Sequence, residues 1–328
     1  MAAPLAHVGV LSIGQMGLGI SRLLLDHGFH VITNASDRSI ATQKRAKSAS
    51  IECVSSDTEL VARSDYIFSI VPPRDAMRTA KRICAVFERD PTVRAKGQHP
   101  LYYLELNAVS PNTARNIGAV FEKDNQLLRF LDGGIIGGPP AKTSGETTWT
   151  RPGIPLSGPY PLYEAPLHGS RLTEVLNTQH LDSRIGTASG LKCTFAALSK
   201  GFTALALQSF TTAASLGVLP QLQEYIAQYN PSVKDRAEKS IIACLPKAYR
   251  WVEEMNQIGQ CFAGEGGWSE TANVFRNVSN VYEQLATAVE ERGGTEGMED
   301  ISGALSVLTE SLHDGHKSTY EIEAETSV

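Results

Sequence analysis

Lys192 lies in the run GTASGLKCTFAALSKGFTAL, Gly186 to Leu205, as one of two cations among small and apolar residues. A lysine held partly out of water has a lowered pKa and exchanges protons near neutrality. On a helix, Lys192, Ala196, Ser199 and Thr203 share one face, and Lys200 lies about 80° from that stripe. The competing assignment is a lysine on a solvated helix surface. A second run, DGGIIGGPP from Asp132 to Pro140, ends a strand-like segment. Ligands of open α/β sheets sit at the carboxyl ends of strands. Glycines at 133, 134, 137 and 138 would let a substrate approach the backbone there; the alternative is a flexible loop.

A third run, VLSIGQMGLG from Val10 to Gly19, joins a strand pattern to a helix pattern. That context makes it a phosphate-binding turn of the G-x-G-x-x-G kind, with Ser12 at the first glycine position. Gly14 permits close approach of a pyrophosphate, Gly17 permits close packing of helix on strand, and the helix N-terminus supplies free N–H groups. Ser12, Ile13, Gly14, Gln15 and Met16 line this turn. Serine is accommodated at position 12 if its φ stays negative, with its hydroxyl in reach of a phosphate. The second strand ends in ITNASDRS, so Thr33 and Asn34 occupy the place where an NAD site carries an acid for the ribose 2′-hydroxyl. Arg38, flanked by Ser36 and Ser39, suits a 2′-phosphate by charge and geometry. Asp37 either caps the next helix or repels that phosphate. The balance favours NADP(H) over NAD(H).

These residues need a scaffold. Strand patterns cover 7–13, 30–35, 65–71, 101–106 and 128–136, with a weaker one at 50–55. Helical patterns cover 17–27, 38–49, 57–64, 74–89 and 111–124. The alternation predicts βαβ units and a doubly wound, mostly parallel sheet. TTWTR and IPLSG, joined by a Pro-Gly turn, read as two short strands extending it. Residues 189–217 read as one helix of about 40 Å, and 231–244, 246–262 and 268–292 as further helices. Ile301, Leu305, Leu308 and Leu312 mark an amphipathic helix, and from 314 the tail is polar and reads as disordered. The expectation is an α/β domain over 1–188, an all-α domain over 189–292, and a C-terminal helix and tail over 293–328.

A net charge of -5 and a pI near 5.9 argue against nucleic-acid or anionic-membrane surfaces. No run reaches the roughly 18 apolar residues of a membrane span. The opening MAAPLAHVGVL has no basic segment before its apolar run and reads as the first strand rather than a leader. Five scattered cysteines without C-x-x-C or Cys/His spacing read as reduced thiols, with no metal site, in a cytoplasmic protein.

Together the runs resemble the β-hydroxyacid dehydrogenase superfamily, which also holds 6-phosphogluconate dehydrogenase and the imine reductases. IGQMGLG resembles its cofactor turn, NAVSP (Asn107 to Pro111) its segment after the fifth strand, DGGIIGGPP its substrate loop, and GTASGLKCTFAALSKG its catalytic helix. SIVPP at 69–73, SGP at 157–159, ASGLK at 188–192, SKG at 199–201 and WVEEM at 251–255 are similar to a phosphogluconate-dehydrogenase-like subgroup with an uncharacterised C-terminal domain. The resemblance implies a Rossmann-type fold and hydride transfer between a nicotinamide and a small-molecule alcohol or ketone. It implies Lys192 as general acid/base, with Val71, Pro72 and Asn107 beside the cofactor. Ser110, Gly133 and Gly134 would orient the substrate. Ala196 stands where the wider superfamily has a helper asparagine, leaving Ser110, Ser199 or Lys200 to substitute. An imine reductase-like enzyme and a silent dinucleotide-binding protein remain alternatives; Lys192 favours a C–O bond. The helical domain is expected to pair subunits, with Trp251, Trp268 and the 189–217 helix buried against a second copy.

Overall fold

In the computed structural model, residues 3–94, 98–121, 127–143 and 148–312 are described. The chain runs β1 (His7–Leu11), α1 (Gln15–Asp26), β2 (His30–Asn34), α2 (Ile40–Ser48), β3 (Glu52–Val54), α3 (Asp57–Arg63), β4 (Tyr66–Ser69), α4 (Ala76–Arg89), β5 (Leu101–Glu105), α5 (Pro111–Phe121) and β6 (Leu128–Gly133). It continues through β7 (Ala141–Lys142), β8 (Trp149–Thr150), β9 (Ile154–Ser157), α6 (Gly169–Leu176) and β10 (Thr178–His180). Helices α7 (Thr187–Ser215), α8 (Leu219–Tyr229), α9 (Pro231–Cys244), α10 (Ala248–Gly264), α11 (Phe275–Glu291) and α12 (301–312) complete it. None of the described helices is long and apolar enough to cross a membrane.

The main sheet has the order β10-β9-β6-β5-β4-β1-β2-β3. Every pairing is parallel except β6 with β9. Period-two alternation sends side chains to both faces. Val8, Val10, Tyr66, Phe68, Tyr102 and Leu104 pack with Ile20, Leu23 and Leu24 of α1 and Leu172, Val175 and Leu176 of α6. Leu11, Ile32, Ile67, Leu101 and Tyr103 pack on the other face with Leu60 of α3, Ile83 of α4 and Ile117 of α5. A sheet covered on both faces is the doubly wound arrangement the sequence predicts.

Only one of the two strands expected after Pro139 extends this sheet. Ile154–Ser157 joins β6, but Trp149–Thr150 pairs with Ala141–Lys142 in a separate antiparallel ribbon. Asp26 at the end of α1 holds that ribbon, accepting from Lys142 Nζ and Trp149 Nε1, each at 2.9 Å.

By internal contacts the chain forms two units, Met1–Phe195 with Gly264–Gly266, and Ala196–Ala263 with Gly267–Val328. The division falls within α7, seven residues later than the expected start of the helical domain. The second unit is all helical. Its buried side chains include Phe210, Ile241, Met255, Ile258, Tyr282, Leu285, Leu305 and Leu308. The expected helix over 268–292 begins only at Phe275, just after a turn in which Asn273 Oδ1 accepts the Phe275 N–H at 3.2 Å. The tail from 314 lies outside the described residues.

Candidate active site

Parallel β1, β4, β5 and β6 end on the same edge of the sheet. Their C-terminal extensions carry the Ser12–Met16 turn, Val71 and Pro72, Asn107 and Ser110, and Gly133–Ile135. The sequence-predicted residues of the first unit are thereby gathered along one edge.

The turn after β1 departs from expectation. Ser12 has φ +79, in the left-handed region that favours glycine. At the start of α1 a Cβ on Gly17 would collide with the carbonyl oxygen of Ser12, so helix and turn are in closest approach there. Gly14 at the helix N-cap is extended, and a Cβ there would meet no heavy atom within 4 Å. A serine held in this conformation costs about 1 kcal/mol. Ser12→Gly is therefore expected to raise stability by about that amount in urea unfolding.

At the end of β6, Asp132 is fully buried and ties the start of α7 to the sheet. Its carboxylate accepts from Gly186 N (2.9 Å), Ser189 N (3.0 Å), Ser189 Oγ (2.5 Å) and Ser157 Oγ (3.0 Å). Ser157 Oγ in turn accepts from Ala188 N at 3.0 Å. Three otherwise orphaned N–H groups of the helix start thus reach an acceptor, and a carboxylate faces the positive end of the helix dipole. Burial raises the Asp132 pKa, against the pull of those four donors.

Lys192 sits between one and two turns beyond this anchor. Its stem lies over Gly134, where a Cβ would come within 2.7 Å of the lysine Cβ, and its ammonium donates to the Ile135 carbonyl at 2.5 Å. The side chain is half-buried, and burial lowers its pKa. Lys192 is therefore not a lysine on a solvated surface. Gly133 is glycine for a different reason than substrate approach: a Cβ would press on Leu106 and Leu156 at 2.7 Å.

Glu105, which no local pattern marked, is fully buried at the end of β5 beside Asp132 in register. Burial pushes its pKa up to about 8, with the nearby Asp132 adding to the effect. Asn107 donates to Glu105 and, at 2.9 Å, to Ser69 Oγ, while its own Oδ1 accepts the Val71 N–H at 2.6 Å. Asn107 thus locks the β4 and β5 loop ends together. Ser110 is buried, and its hydroxyl accepts from Thr113 N at 3.2 Å, capping α5.

At the end of β2, Asn34 donates to Asp57 at 2.8 Å and accepts from the N–H and hydroxyl of Ser36. Ser39 caps α2 through Thr42 N. Arg38 Nε contacts Asp37 at 3.2 Å. In the second unit, Ser199 Oγ donates to Ala196 O. Lys200 is paired with Glu254 and lies 4.7 Å from the Trp251 ring centroid. Trp251 also packs edge-on against Tyr282, whereas Trp268 is exposed.

Residues 7–151 match the family described as the NAD binding domain of 6-phosphogluconate dehydrogenase, and residues 213–285 match a domain of unknown function, DUF1932. An uncharacterised 28.5 kDa protein of Methanothermus fervidus is 24% identical over 261 residues, covering 76% of this chain and 88% of the relative. The fold is shared with 3-hydroxyisobutyrate dehydrogenase of Mycobacterium tuberculosis (TM-score 0.60, 15% identity, 86% of this chain and 94% of that one). It is also shared with an imine reductase of Myxococcus stipitatus in complex with NAD+ (TM-score 0.52, 18% identity, 92% and 99%). With its glycine turn and both matches in chain order, the chain is similar over residues 7–151 to the NAD binding domain of 6-phosphogluconate dehydrogenase and over 213–285 to DUF1932, on a fold shared with these dehydrogenases and reductases.

Proposed function

We propose that the chain is an NADP(H)-dependent oxidoreductase acting on a small-molecule alcohol or ketone of the β-hydroxyacid kind, with Lys192 as general acid and base. The observation that carries this reading is the seat of Lys192: its stem over Gly134, its ammonium on the Ile135 carbonyl, at the sheet edge that also bears the glycine turn. The open backbone at Gly14 and the free N–H groups of α1 suit a pyrophosphate. When bound, the nicotinamide supplies or accepts the hydride. In the reductive direction the Lys192 ammonium gives a proton to the oxygen that becomes the alcohol, leaving a neutral amine. In oxidation the amine takes that proton back. Burial favours the neutral amine and so brings both forms closer in energy. Ser110 and the backbone at Gly133–Gly134 are assigned to orient the substrate.

Arg38 and the absence of an acid at Asn34 support NADP(H) over NAD(H). Steady-state NADPH oxidation with a panel of 2- and 3-keto acids and aldehydes, set against a panel of cyclic imines, tests the bond acted on. Turnover of the carbonyl panel is expected. Turnover of imines alone would replace this reading with an imine reductase, and binding without turnover of either would remove the enzymatic assignment.

The chain is also proposed to act as a homodimer through the helical domain. Leu191, Phe195, Leu198 and Leu205 form an exposed apolar row along α7 at helical spacing. Light scattering is expected to give twice the chain mass. The double variant Leu198→Glu, Leu205→Glu is expected to give the monomer mass; a wild-type monomer would contradict the assignment.

A further inference from the structure

The end of β2 is wired to two helices. Asp57, in the first turn of α3, accepts from Asn34 Nδ2 at 2.8 Å and from Arg82 Nε and Nη2, each at 2.9 Å. The fork-on-carboxylate contact fixes the Arg82 guanidinium, which projects from α4 and is separated in sequence from the β2 end by more than forty residues. The remaining nitrogen, Nη1, lies 3.4 Å from Asp37 Oδ2. The other oxygen of Asp37 lies 3.2 Å from Arg38 Nε. One carboxylate therefore bridges two guanidinium groups just beyond the strand end where the adenosine ribose of a dinucleotide lies in this architecture.

An acid at this place ordinarily receives the ribose hydroxyls. Here the neighbouring acid Asp57, at the start of α3, is spent on positioning Arg82, and Asp37 is itself held between two cations. Two guanidiniums spaced to share one anion match a phosphate, which offers three oxygens and about two negative charges. We infer that Arg82 is a second determinant of coenzyme choice, acting with Arg38 on the ribose 2′-phosphate, and that the Asp37 carboxylate stands in for that phosphate and must swing aside when it binds. The inference rests on the NADP(H) reading and adds to it a residue from a distant helix and a competing anion. Asp37 is more than half exposed, so its displacement into water breaks no buried contact.

Dissociation constants for NADPH and NADH, measured by titration calorimetry on the wild type, Arg82→Gln and Asp37→Asn at low and moderate salt, test it. The wild type is expected to prefer NADPH. Arg82→Gln is expected to weaken NADPH about tenfold or more while NADH stays within about twofold, as expected for loss of one charge-assisted contact. Asp37→Asn is expected to tighten NADPH several-fold, most at low salt, with no gain for NADH. Adenosine 2′,5′-bisphosphate should follow NADPH, and 5′-AMP should follow NADH. A wild type indifferent to the 2′-phosphate would overturn the NADP(H) reading itself. A wild type that prefers NADPH while Arg82→Gln keeps that preference would overturn the role of Arg82 and leave the reading intact. Equal weakening of both coenzymes would assign Arg82 a structural role through Asp57 and Asn34, and would also overturn the inference. Where Arg82→Gln fails to fold, Arg82→Lys and Asp37→Asn carry the test, and an unchanged preference in both counts against it.

Discussion

Lys192→Met is expected to lower kcat by about a thousandfold or more in both directions, while NADPH binds within a few-fold of the wild type. The size follows from the loss of a positioned proton donor, typically 10²–10⁴ in rate, at a side chain whose ammonium rests on the Ile135 carbonyl. Methionine fills the volume above Gly134, so the variant changes charge and not packing. Its effect on stability has a definite sign. Burial lowers the Lys192 pKa, so the unfolded chain binds more protons than the folded one between that lowered value and about 10.4. Wild-type stability therefore rises with pH across that window, and the lysine is a net cost below it. The variant is expected to melt no lower than the wild type at neutral pH, with the difference shrinking as pH rises. Thermal unfolding at several pH values alongside single-turnover kinetics separates a dead but folded enzyme from an unfolded one. The pH–rate profile adds a control: a limb from Lys192 vanishes in the variant, whereas one from Glu105, whose pKa lies at about 8, survives.

Asp132→Ala is the second large effect. Removing the carboxylate strands Gly186 N, Ser189 N and the hydroxyls of Ser157 and Ser189 in a buried place. Loss of a helix cap together with unsatisfied buried donors amounts to about 3 kcal/mol or more. The start of α7 is then free to shift, and a displacement of about 1 Å at Lys192 costs roughly a hundredfold in rate. The expected outcome is a lower Tm and a kcat falling further than NADPH affinity. Asp132→Asn, which keeps the shape and one acceptor, should recover part of both. Wild-type kcat in a destabilised Asp132→Ala would show that the cap supports the fold without positioning the lysine.

How much of this was legible in the sequence follows from where each signal is stored. The sheet and its helices announce themselves by local period: Val8 and Val10 alternate with Gly9 and Leu11, and α3, α5 and α7 start at polar caps or small residues. By residue type alone Lys192 was ambiguous with a surface lysine, and the resemblance of GTASGLKCTFAALSKG to a catalytic helix singled it out; its half-buried seat over Gly134 shows only in the fold. Helix α8 was missed although Leu219, Leu222 and Ile226 recur at helical spacing, a short stripe that the fold leaves only half-buried. Helix α6 is short and bounded by His168 and Asn177 in left-handed conformations, which the sequence does not mark. The positive φ of Ser12 goes with a close approach of Gly17 five residues away, which no local pattern marks. TTWTR has strand composition, but its partner was decided by Asp26 on another element. Asp132, Glu105, Asp57 and Arg82 act across strands or helices, so their roles appear only when β1, β4, β5 and β6 are placed side by side.

The central claim is that the amine of Lys192 sits in a half-buried seat facing the proposed cofactor site. Carbon-13 NMR of the protein with labelled lysine side chains, titrated with and without NADP+, measures it directly. The resonance lost in Lys192→Met should titrate below the ordinary lysine value of about 10.4 and move when NADP+ is added. A Lys192 that titrates with the bulk of the lysines and does not respond to saturating NADP+ would contradict the account.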